Sequence, residues 1–551
     1  MSLFLKILVA VLIFFVPFSF AATQPWAFSV LQGGVLLAWI GVLVSRRTVV
    51  YCTLLKIVAY AFGVVIGLAL IQSLFPQTIL DKTVWYPVTL MRLYTLQHVS
   101  LFATYLGIVL LVPQVYASFN EIKRLAWVLV VAAGCVELCA LIFPHGGFIP
   151  WIAGLPTHNA SVGPFLNRNH AGMFFVLNAL LALGLFFTHQ LHYKKLFTRE
   201  QKNAFVIQQI CLGLITVGLM LAAVFTRSRG AMLSLMVGLF GYAFLCVWCV
   251  PDSVKKRVKR MIYTLILLSL SVTWCYVYLD QINSFAHRQT GGPSDQTRKM
   301  LYLGAGQLLK KYPLWGIGLG AMPVAINEYT QWDPHQYIGR LHNDWLEVTL
   351  GIGYVGAGCV LLLLLWFARS ALKRLKHLEL RKQFLFAALL SASLAMGSGC
   401  LVDFHFFIPG CAFVFLLLLG MMNAPTFHKG HVHAWHLPWI AVVILVALGA
   451  AATYVPLQET RCWRAFTFGH GLKTQAKLEA YQQGLAYYPS PRYAVRLGNS
   501  YYNAAVHNKK DPIACLYYLE QAHEVARTYL EKYPKEKELS RLYLRTNTKL
   551  L

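Results

Sequence analysis

Residues 340–367 read RLHNDWLEVTLGIGYVGAGCVLLLLLWF, a polar cluster followed at once by an apolar run. Its polar residues near the start are His342, Asn343, Asp344 and Glu347. A run of about 20 apolar residues is long enough to cross the hydrocarbon core of a bilayer as a helix. The cluster therefore lies at the edge of a predicted membrane span. Because ionisable groups beside lipid are costly to hold, such a cluster is typical of a functional site.

The whole chain has the composition of a membrane protein. Of its 551 residues, 58% are hydrophobic and 13% are charged, whereas soluble domains carry about 25% charged residues. Only helices and closed barrels satisfy their backbone in lipid. We therefore predict an all-α polytopic membrane protein with about 13 transmembrane helices. The predicted spans are 4–21, 25–45, 50–74, 99–118, 125–144, 170–188, 204–225, 230–249, 261–280, 346–367, 383–402, 409–424 and 437–455.

The formal net charge of +27 is distributed in a way that predicts orientation. Lys and Arg fall in short clusters between apolar runs, which is typical of cytoplasmic loops. These clusters lie at 46–47, 123–124, 194–195, 255–260 and 373–382. An N-terminus in the cytoplasm places all of them there. The pattern indicates contact with membrane lipids and argues against nucleic acid as a partner.

Arginines on the opposite, non-cytoplasmic side indicate an anion site. Arg227 and Arg229 lie in a short turn between two apolar runs, and Arg298 lies in the long loop 281–345. Two adjacent guanidinium groups repel each other unless an anion bridges them, and Arg donors match phosphate oxygens. We therefore predict a phosphate or pyrophosphate site built from these three residues. The alternative for any one of them is a side chain that anchors the protein at the membrane edge.

His342 is the predicted centre of the chemistry. Asp344 or Glu347 is close enough in sequence to orient its ring, and His is the side chain most often used for proton transfer. Neither an HExxH motif nor a Cys pair lies nearby, so a base or an acceptor-orienting residue is favoured over a metal ligand. A hydrogen-bonded structural histidine is the alternative. We expect neither a metal nor a cofactor.

Three further segments carry separate predictions. Residues 298–311 have the apolar spacing of an amphipathic helix, which we expect to lie along the membrane surface. The glycine run 316–320 lacks the dinucleotide-binding spacing and is interpreted as a close-packed turn. Ser19-Phe20-Ala21-Ala22 resembles a cleavage site, so the first span is either a membrane helix or a signal peptide.

The C-terminal tail, 456–551, differs from the rest of the chain. It is charged and rich in Tyr, with helical patterns at 476–488, 494–505 and 513–533. The spacing of Ala, Leu, Gly and Tyr resembles tetratricopeptide repeats; a small helical cap that packs on itself is the alternative. Cys462 and Cys515 both lie in the tail, where a disulfide would be possible in an oxidising compartment.

Five segments, taken in order, resemble the O-antigen ligase and polymerase superfamily, which also contains bacterial protein O-oligosaccharyltransferases. The resemblance covers roughly residues 60–425 of a predicted transmembrane domain, 1–455. The segments are Asn167-Arg168-Asn169-His170, Thr226-Arg227-Ser228-Arg229-Gly230, Arg298 ahead of Tyr312-Pro313-Leu314-Trp315-Gly316-Ile317-Gly318, His342-Asn343-Asp344 ahead of Gly351-Ile352-Gly353, and Asp403-Phe404-His405 before Ile408-Pro409.

The resemblance implies a GT-C-like, inverting and metal-independent glycosyltransferase that uses a glycan on undecaprenyl pyrophosphate. Arg227 and Arg298 would hold the pyrophosphate with help from Arg229, and His342 would activate or orient the acceptor hydroxyl. The remaining site residues would support them, with Asn167 and Arg168 at the donor entrance beside Asn343, Asp344 and Glu347.

The resemblance leaves the acceptor open. Members of the superfamily attach glycan to the lipid A core, attach it to Ser or Thr of proteins such as pilins, or extend the glycan as polymerases. The repeat-like tail favours a protein acceptor or partner. The implied location is the bacterial inner membrane, with the site and the tail in the periplasm. A lipid-linked glycan flippase is the alternative from another class, but it should carry charged residues near the midplane and inverted repeats.

Overall fold

The computed structural model describes residues 2–46, 48–77, 83–143, 161–190, 198–249, 295–326, 329, 339–428, 432–508, 511–533 and 537–550. This part of the chain is almost entirely helical. Its helices are α1 (Ser2–Phe18), α2 (Pro25–Arg46), α3 (Thr53–Ser73), α4 (Arg92–Val115), α5 (Phe119–Ile142), α6 (Arg168–Gln190), α7 (Arg199–Phe225), α8 (Arg229–Cys249), α9 (Asp295–Lys311), α10 (Met322–Ala325), α11 (Asp344–Lys376), α12 (Leu380–Gly399), α13 (Pro409–Met422), α14 (Trp439–Phe468), α15 (Thr474–Tyr487), α16 (Pro491–His507), α17 (Pro512–Lys532) and α18 (Lys537–Leu550).

The predicted all-α polytopic class is confirmed. Among the described residues, nine helices are long and apolar enough to cross a membrane: α2 to α8, α11 and α14. The predicted spans 4–21 and 409–424 correspond to the shorter apolar helices α1 and α13. The span predicted at 383–402 is α12, which is not among the nine, and the span at 261–280 lies outside the described residues. The count of about 13 therefore stays a prediction.

Helix α6 is the centre of the membrane bundle. Its sequence is apolar on all sides and most of its residues are buried, as expected of a helix surrounded by other helices. It packs closely on α12, where Gly184 lies against Ala388, and on α8, where Gly172 lies against Ala231. Small residues allow such close approach of helices in a membrane. This packing brings the first turn of α6 next to the α7–α8 turn.

Polar contacts occur at two separate ends of the bundle. At one end, Lys6 Nζ lies 2.5 Å from Glu121 Oε1, and Lys382 Nζ donates to the Thr426 carbonyl at 3.2 Å. At the other end, which we call the site end, segments 167–170, 226–230, 339–347 and 400–408 contact one another. These are the two groups of segments that the charge pattern assigns to opposite sides of the membrane.

A two-stranded ribbon lies at the end opposite the site. Strand β1 (Thr48–Tyr51) pairs antiparallel with β2 (His433–His436), so that Thr48 faces His436. The sequence pattern does not indicate this ribbon and instead predicts that a membrane span begins at residue 50. Four-residue strands leave little periodicity to detect, and all four residues of β2 are exposed, so it has no alternating apolar pattern.

Helix α11 is interrupted just after the His342 cluster. Gly353 has φ +70°, and a side chain there would collide with the Leu314 carbonyl. The interruption is bridged by the glycine run, whose Ile317 and Gly318 amides donate to the carbonyls of Leu350 and Gly351 at 3.0 and 3.1 Å. Backbone groups near lipid need such partners. The predicted close-packed turn is thus observed, and its backbone is hydrogen-bonded to the first turns of α11.

Helix α9 corresponds to the amphipathic helix predicted at 298–311. Its apolar face, with Leu301, Ala305 and Leu308, is buried in a separate small core together with Val88 and Ile317. Protein therefore covers the apolar face, and the position of the helix along the membrane surface stays a prediction. The pattern indicated an apolar face but could not identify what covers that face.

The three helices predicted in the tail are confirmed as α15, α16 and α17. Together with α18 and the end of α14 they enclose their own apolar core. Helix α14 runs through the predicted domain boundary at 455 without a break, and the boundary and the repeat family stay predictions. Cys462 and Cys515 are free thiols, so they form no disulfide.

The segment that resembles a cleavage site is buried within the fold. Phe20, Ala21 and Ala22 all have positive φ, and the atoms of Ala21 lie against Gly410 at the start of α13. This turn connects α1 to α2 and supports the beginning of the helix that follows the 400–408 segment.

Candidate functional site

His342 lies on a strained turn just before α11. Its φ is +55°, in a region that few non-glycine residues adopt. The turn is fixed from the C-terminal side, where Asn343 caps the helix by accepting a hydrogen bond from the Leu346 amide at 2.9 Å. The Asp344 amide donates to the Cys400 carbonyl at 2.8 Å. The imidazole is therefore held at the helix end, beside the 400–408 segment.

Asp403 is the partner of the His342 ring. His342 Nδ1 lies 3.1 Å from Asp403 Oδ1, and this carboxylate is only 4% exposed. The same carboxylate accepts from Asn169 Nδ2 at 2.6 Å and from the Phe404 amide at 2.9 Å. Because an ionised carboxylate can only accept, Nδ1 carries the hydrogen of the shared bond. In a neutral imidazole, Nε2 then carries the lone pair that can accept a proton.

The surroundings keep Asp403 ionised. Burial raises the pKa of its carboxyl, but the hydrogen bond from His342 and the nearby His405 and His170 rings outweigh burial and hold the pKa well below its usual range. Burial also lowers the pKa of His405, which favours its neutral form. The site end thus contains a buried anion hydrogen-bonded to a partly exposed imidazole.

The predicted ring partners, Asp344 and Glu347, do not contact the His342 ring, and this prediction is wrong. Asp344 Oδ2 accepts from the Phe406 amide at 2.7 Å. Glu347 accepts from Arg340 at 2.6 Å and from the Leu341 amide at 3.0 Å. Both carboxylates lie on the first turn of α11 and are buried, so they join the neighbouring segments to that turn instead of reaching the ring.

Arg340 connects three parts of the site end and was not identified from the sequence. Its guanidinium pairs with Glu347, lies 3.3 Å from His98 Nε2 and stacks 4.3 Å above the centre of the Phe407 ring. His98 belongs to α4, and Phe407 belongs to the 400–408 segment. The only sequence signal was the position of Arg340 two residues before His342.

We expect Arg340→Ala to destabilise the protein by about 3 to 5 kcal/mol, because it leaves the carboxylate of Glu347 buried without its ion-pair partner. Thermal unfolding of the purified protein measures the loss. Arg527→Ala, which breaks an exposed ion pair with Glu524 in the tail, is the matched control and should leave the unfolding temperature unchanged. Equal unfolding temperatures for both variants and the unchanged protein would contradict the role of Arg340.

The predicted arginines lie on two elements of the site end. Arg227, with φ +55°, is in the turn between α7 and α8, and Arg229 begins α8. This turn approaches the Asp403 segment at Gly230, where a side chain would meet the side chain of Val402. Arg298 is on the first turns of α9, and its buried Nε has no hydrogen-bond partner in the part of the chain that the structure describes. A joint anion site of all three stays a prediction.

Asn167 and Arg168 lie where α6 begins. Asn167 Oδ1 accepts from the Asn169 amide at 2.8 Å, and Arg168 is the first residue of the helix. Asn169, for which the sequence predicted no role, is the residue of this segment that contacts Asp403. The N-terminal end of α6, which favours negative charge, therefore lies beside the His342–Asp403 pair. A donor entrance at this position stays a prediction.

Comparison with known proteins identifies one family. A family model described as O-antigen ligase matches residues 214–361. No curated protein matches the chain at a significant level. The matched segment includes Arg227, Arg229, Arg298 and His342, whereas Asp403 lies beyond it. Over residues 214–361, this membrane protein carries a domain of the O-antigen ligase-related superfamily.

Proposed function

We propose that the protein transfers a glycan from undecaprenyl pyrophosphate to a hydroxyl group on the periplasmic side of the inner membrane. The observation that carries the proposal is the hydrogen bond between His342 and the buried carboxylate of Asp403 at one end of the helix bundle. A pair of this kind prepares an imidazole to accept a proton. The match of the surrounding segment to O-antigen ligases supports the choice of substrate class.

In the proposed reaction, His342 Nε2 removes the proton from the acceptor hydroxyl as its oxygen attacks the anomeric carbon of the glycan. The bond between that carbon and the pyrophosphate oxygen breaks, and the pyrophosphate leaves with the electron pair. Attack on the face opposite the leaving group inverts the anomeric configuration. Arg227, Arg229 and Arg298 would stabilise the charge that develops on the pyrophosphate. No step needs a metal ion.

The orientation rests on charge. Basic clusters such as Lys373–Arg374 and Arg381–Lys382 belong to the end opposite the site, where Arg374 and Lys382 contact the 426–427 carbonyls. Cytoplasmic loops are the ones enriched in Lys and Arg. We therefore place the site end and the tail in the periplasm. A lipid-linked donor would reach the site from the bilayer, and the acceptor would arrive from the aqueous side.

The position of the tail makes a protein acceptor the first to test. The tail contacts the first turns of α4, where Gln97 Nε2 donates to Glu459 at 2.5 Å and Tyr488 donates to Gln97 at 3.0 Å. His98, the next residue of α4, contacts Arg340 of the site end. Tail helices beside the site are suitably placed to present a polypeptide to it.

Deletion of the gene distinguishes the acceptors. Loss of glycan mass from an intact periplasmic protein indicates a protein acceptor, and loss of the O-antigen ladder on a lipopolysaccharide gel indicates the lipid A core. A change in glycan length alone indicates a polymerase. If every glycoconjugate keeps its amount and length, the proposed function is wrong.

The donor site can be tested through Arg298. We expect Arg298→Gln to lower kcat/KM for the lipid-linked donor about 10²- to 10³-fold, because one charge-assisted donor to the leaving group is lost. Lys299→Gln is the matched control, since Lys299 is the next residue and is exposed. Kinetics of the purified proteins at varied donor concentration measure the effect. Equal losses for the two variants would show that net charge matters and that position does not.

A further inference from the structure

We propose that Tyr302 is a positioning residue that couples donor binding at Arg298 to the placement of His342. The inference rests on the proposed function, because it takes Arg298 as a donor ligand and His342 as the acceptor-side residue. Tyr302 does not touch the reacting atoms in this proposal. It acts through the backbone of His342.

A hydrogen bond connects α9 with the turn that contains His342. The Tyr302 hydroxyl on α9 donates to the carbonyl of His342 at 3.2 Å, although the two residues are 40 positions apart. Burial raises the pKa of Tyr302, so the hydroxyl keeps its hydrogen and remains a donor. This bond joins α9 to the His342 turn, whose Asn343 side chain also interacts with the Tyr302 hydroxyl.

The backbone of that turn is strained at His342. His342 has φ +55°, and a non-glycine residue stays in this region only when its surroundings fix it. Asn343 and Asp344 fix the turn on its C-terminal side through the Leu346 amide and the Cys400 carbonyl. The bond from Tyr302 acts on the His342 carbonyl itself. Its loss would allow the turn to relax and the imidazole to leave its place beside Asp403.

Arg298 and Tyr302 are spaced so that they can act together. They are four residues apart on one helix, so their side chains lie on the same face, one turn above the other. The adjacent apolar stripe of α9 is buried through Leu301, Ala305 and Leu308, so the helix is held as a unit. An anion bound by Arg298 would therefore also fix the position of Tyr302, and with it the carbonyl of His342.

Hydrogen–deuterium exchange of the full-length protein in nanodiscs tests the coupling without requiring transfer. The probe is undecaprenyl pyrophosphate. In the unchanged protein we expect the probe to slow amide exchange in both 298–303 and 342–347. In Tyr302→Phe we expect it to slow exchange in 298–303 alone. Tyr329→Phe is the matched control, because the Tyr329 hydroxyl has no hydrogen-bond partner among the described residues, and it should respond like the unchanged protein.

Kinetics supply a readout that a merely structural role would not move. We expect Tyr302→Phe to lower kcat about tenfold, as the loss of one hydrogen bond can do, and to raise KM for the donor by no more than the same factor, since the coupling is reciprocal. In an Arg298→Gln background the same change should have little further effect. Protection of both segments in Tyr302→Phe, or a tenfold loss in both backgrounds, would overturn the coupling alone. Protection of neither segment in the unchanged protein would overturn the proposed donor site as well.

Discussion

Purified His342→Ala is expected to transfer glycan at least about 10³-fold more slowly than the unchanged protein, within the range that general bases contribute. The substitution removes the Nε2 lone pair that would accept the proton of the hydroxyl. It also leaves Asp403 without its ring partner. The measurement is the initial rate with undecaprenyl-pyrophosphate glycan and a purified acceptor, after membrane insertion has been verified.

Two variants make this result specific. His377→Ala is the matched control, because His377 lies at the other end of α11 and is exposed, and it should transfer at the normal rate. His342→Gln separates two roles for the ring. Glutamine can orient a hydroxyl but cannot take its proton at neutral pH, so it should be as slow as alanine if His342 is a base. Near-normal transfer by His342→Ala would exclude the catalytic assignment.

The membrane helices were predictable because their signal is local. A run such as 170–188 or 204–225 must be helical to satisfy its backbone in lipid, and both appear as helices with ends shifted by a few residues. Helix α12, predicted at 383–402, is not among the nine apolar spans, and its first turn contains Arg381 and Lys382. Local composition determines which segments can cross a membrane, but it does not show which helix becomes the buried centre.

The partner of His342 was not predictable in the same way. The sequence favoured Asp344 and Glu347 because they are close to His342 along the chain. Both begin a helix, however, and the φ of +55° at His342 turns its ring away from that helix toward the 400–408 segment. Asp403 is 61 residues further along, and only the packing of α6, α8 and α12 brings its segment to the site. The available signals were its position between two apolar runs and its place in the last of the five segments that carry the resemblance.

The supporting contacts depend still more on tertiary structure. Arg340 meets His98, which lies 242 residues earlier in the chain, and no local pattern marks the pair. The glycine run was recognised as a tight turn, yet its contact with the interruption at Gly353 depends on the positive φ of both segments. Sequence periodicity indicates where helices begin and end. It does not encode which backbone groups meet across a loop.

Asp403→Asn provides the sharpest test of the site, because it changes one charge with almost no change in shape. An asparagine side chain can donate to Nδ1 and so favours the tautomer in which Nε2 carries the hydrogen. In that tautomer Nε2 cannot accept the proton of the hydroxyl, and we expect transfer to fall about 10³-fold or more. Asp511→Asn, at the N-cap of α17 in the tail, is the matched control and should keep the normal rate. With its amide nitrogen in the place of Oδ1, Asn still accepts from Asn169 in the place of Oδ2 and loses only the bond from the Phe404 amide. The fold should therefore persist, which thermal unfolding of the variant verifies. Normal transfer by Asp403→Asn would mean that His342 works without a charged partner, and the buried carboxylate would then have a structural role only.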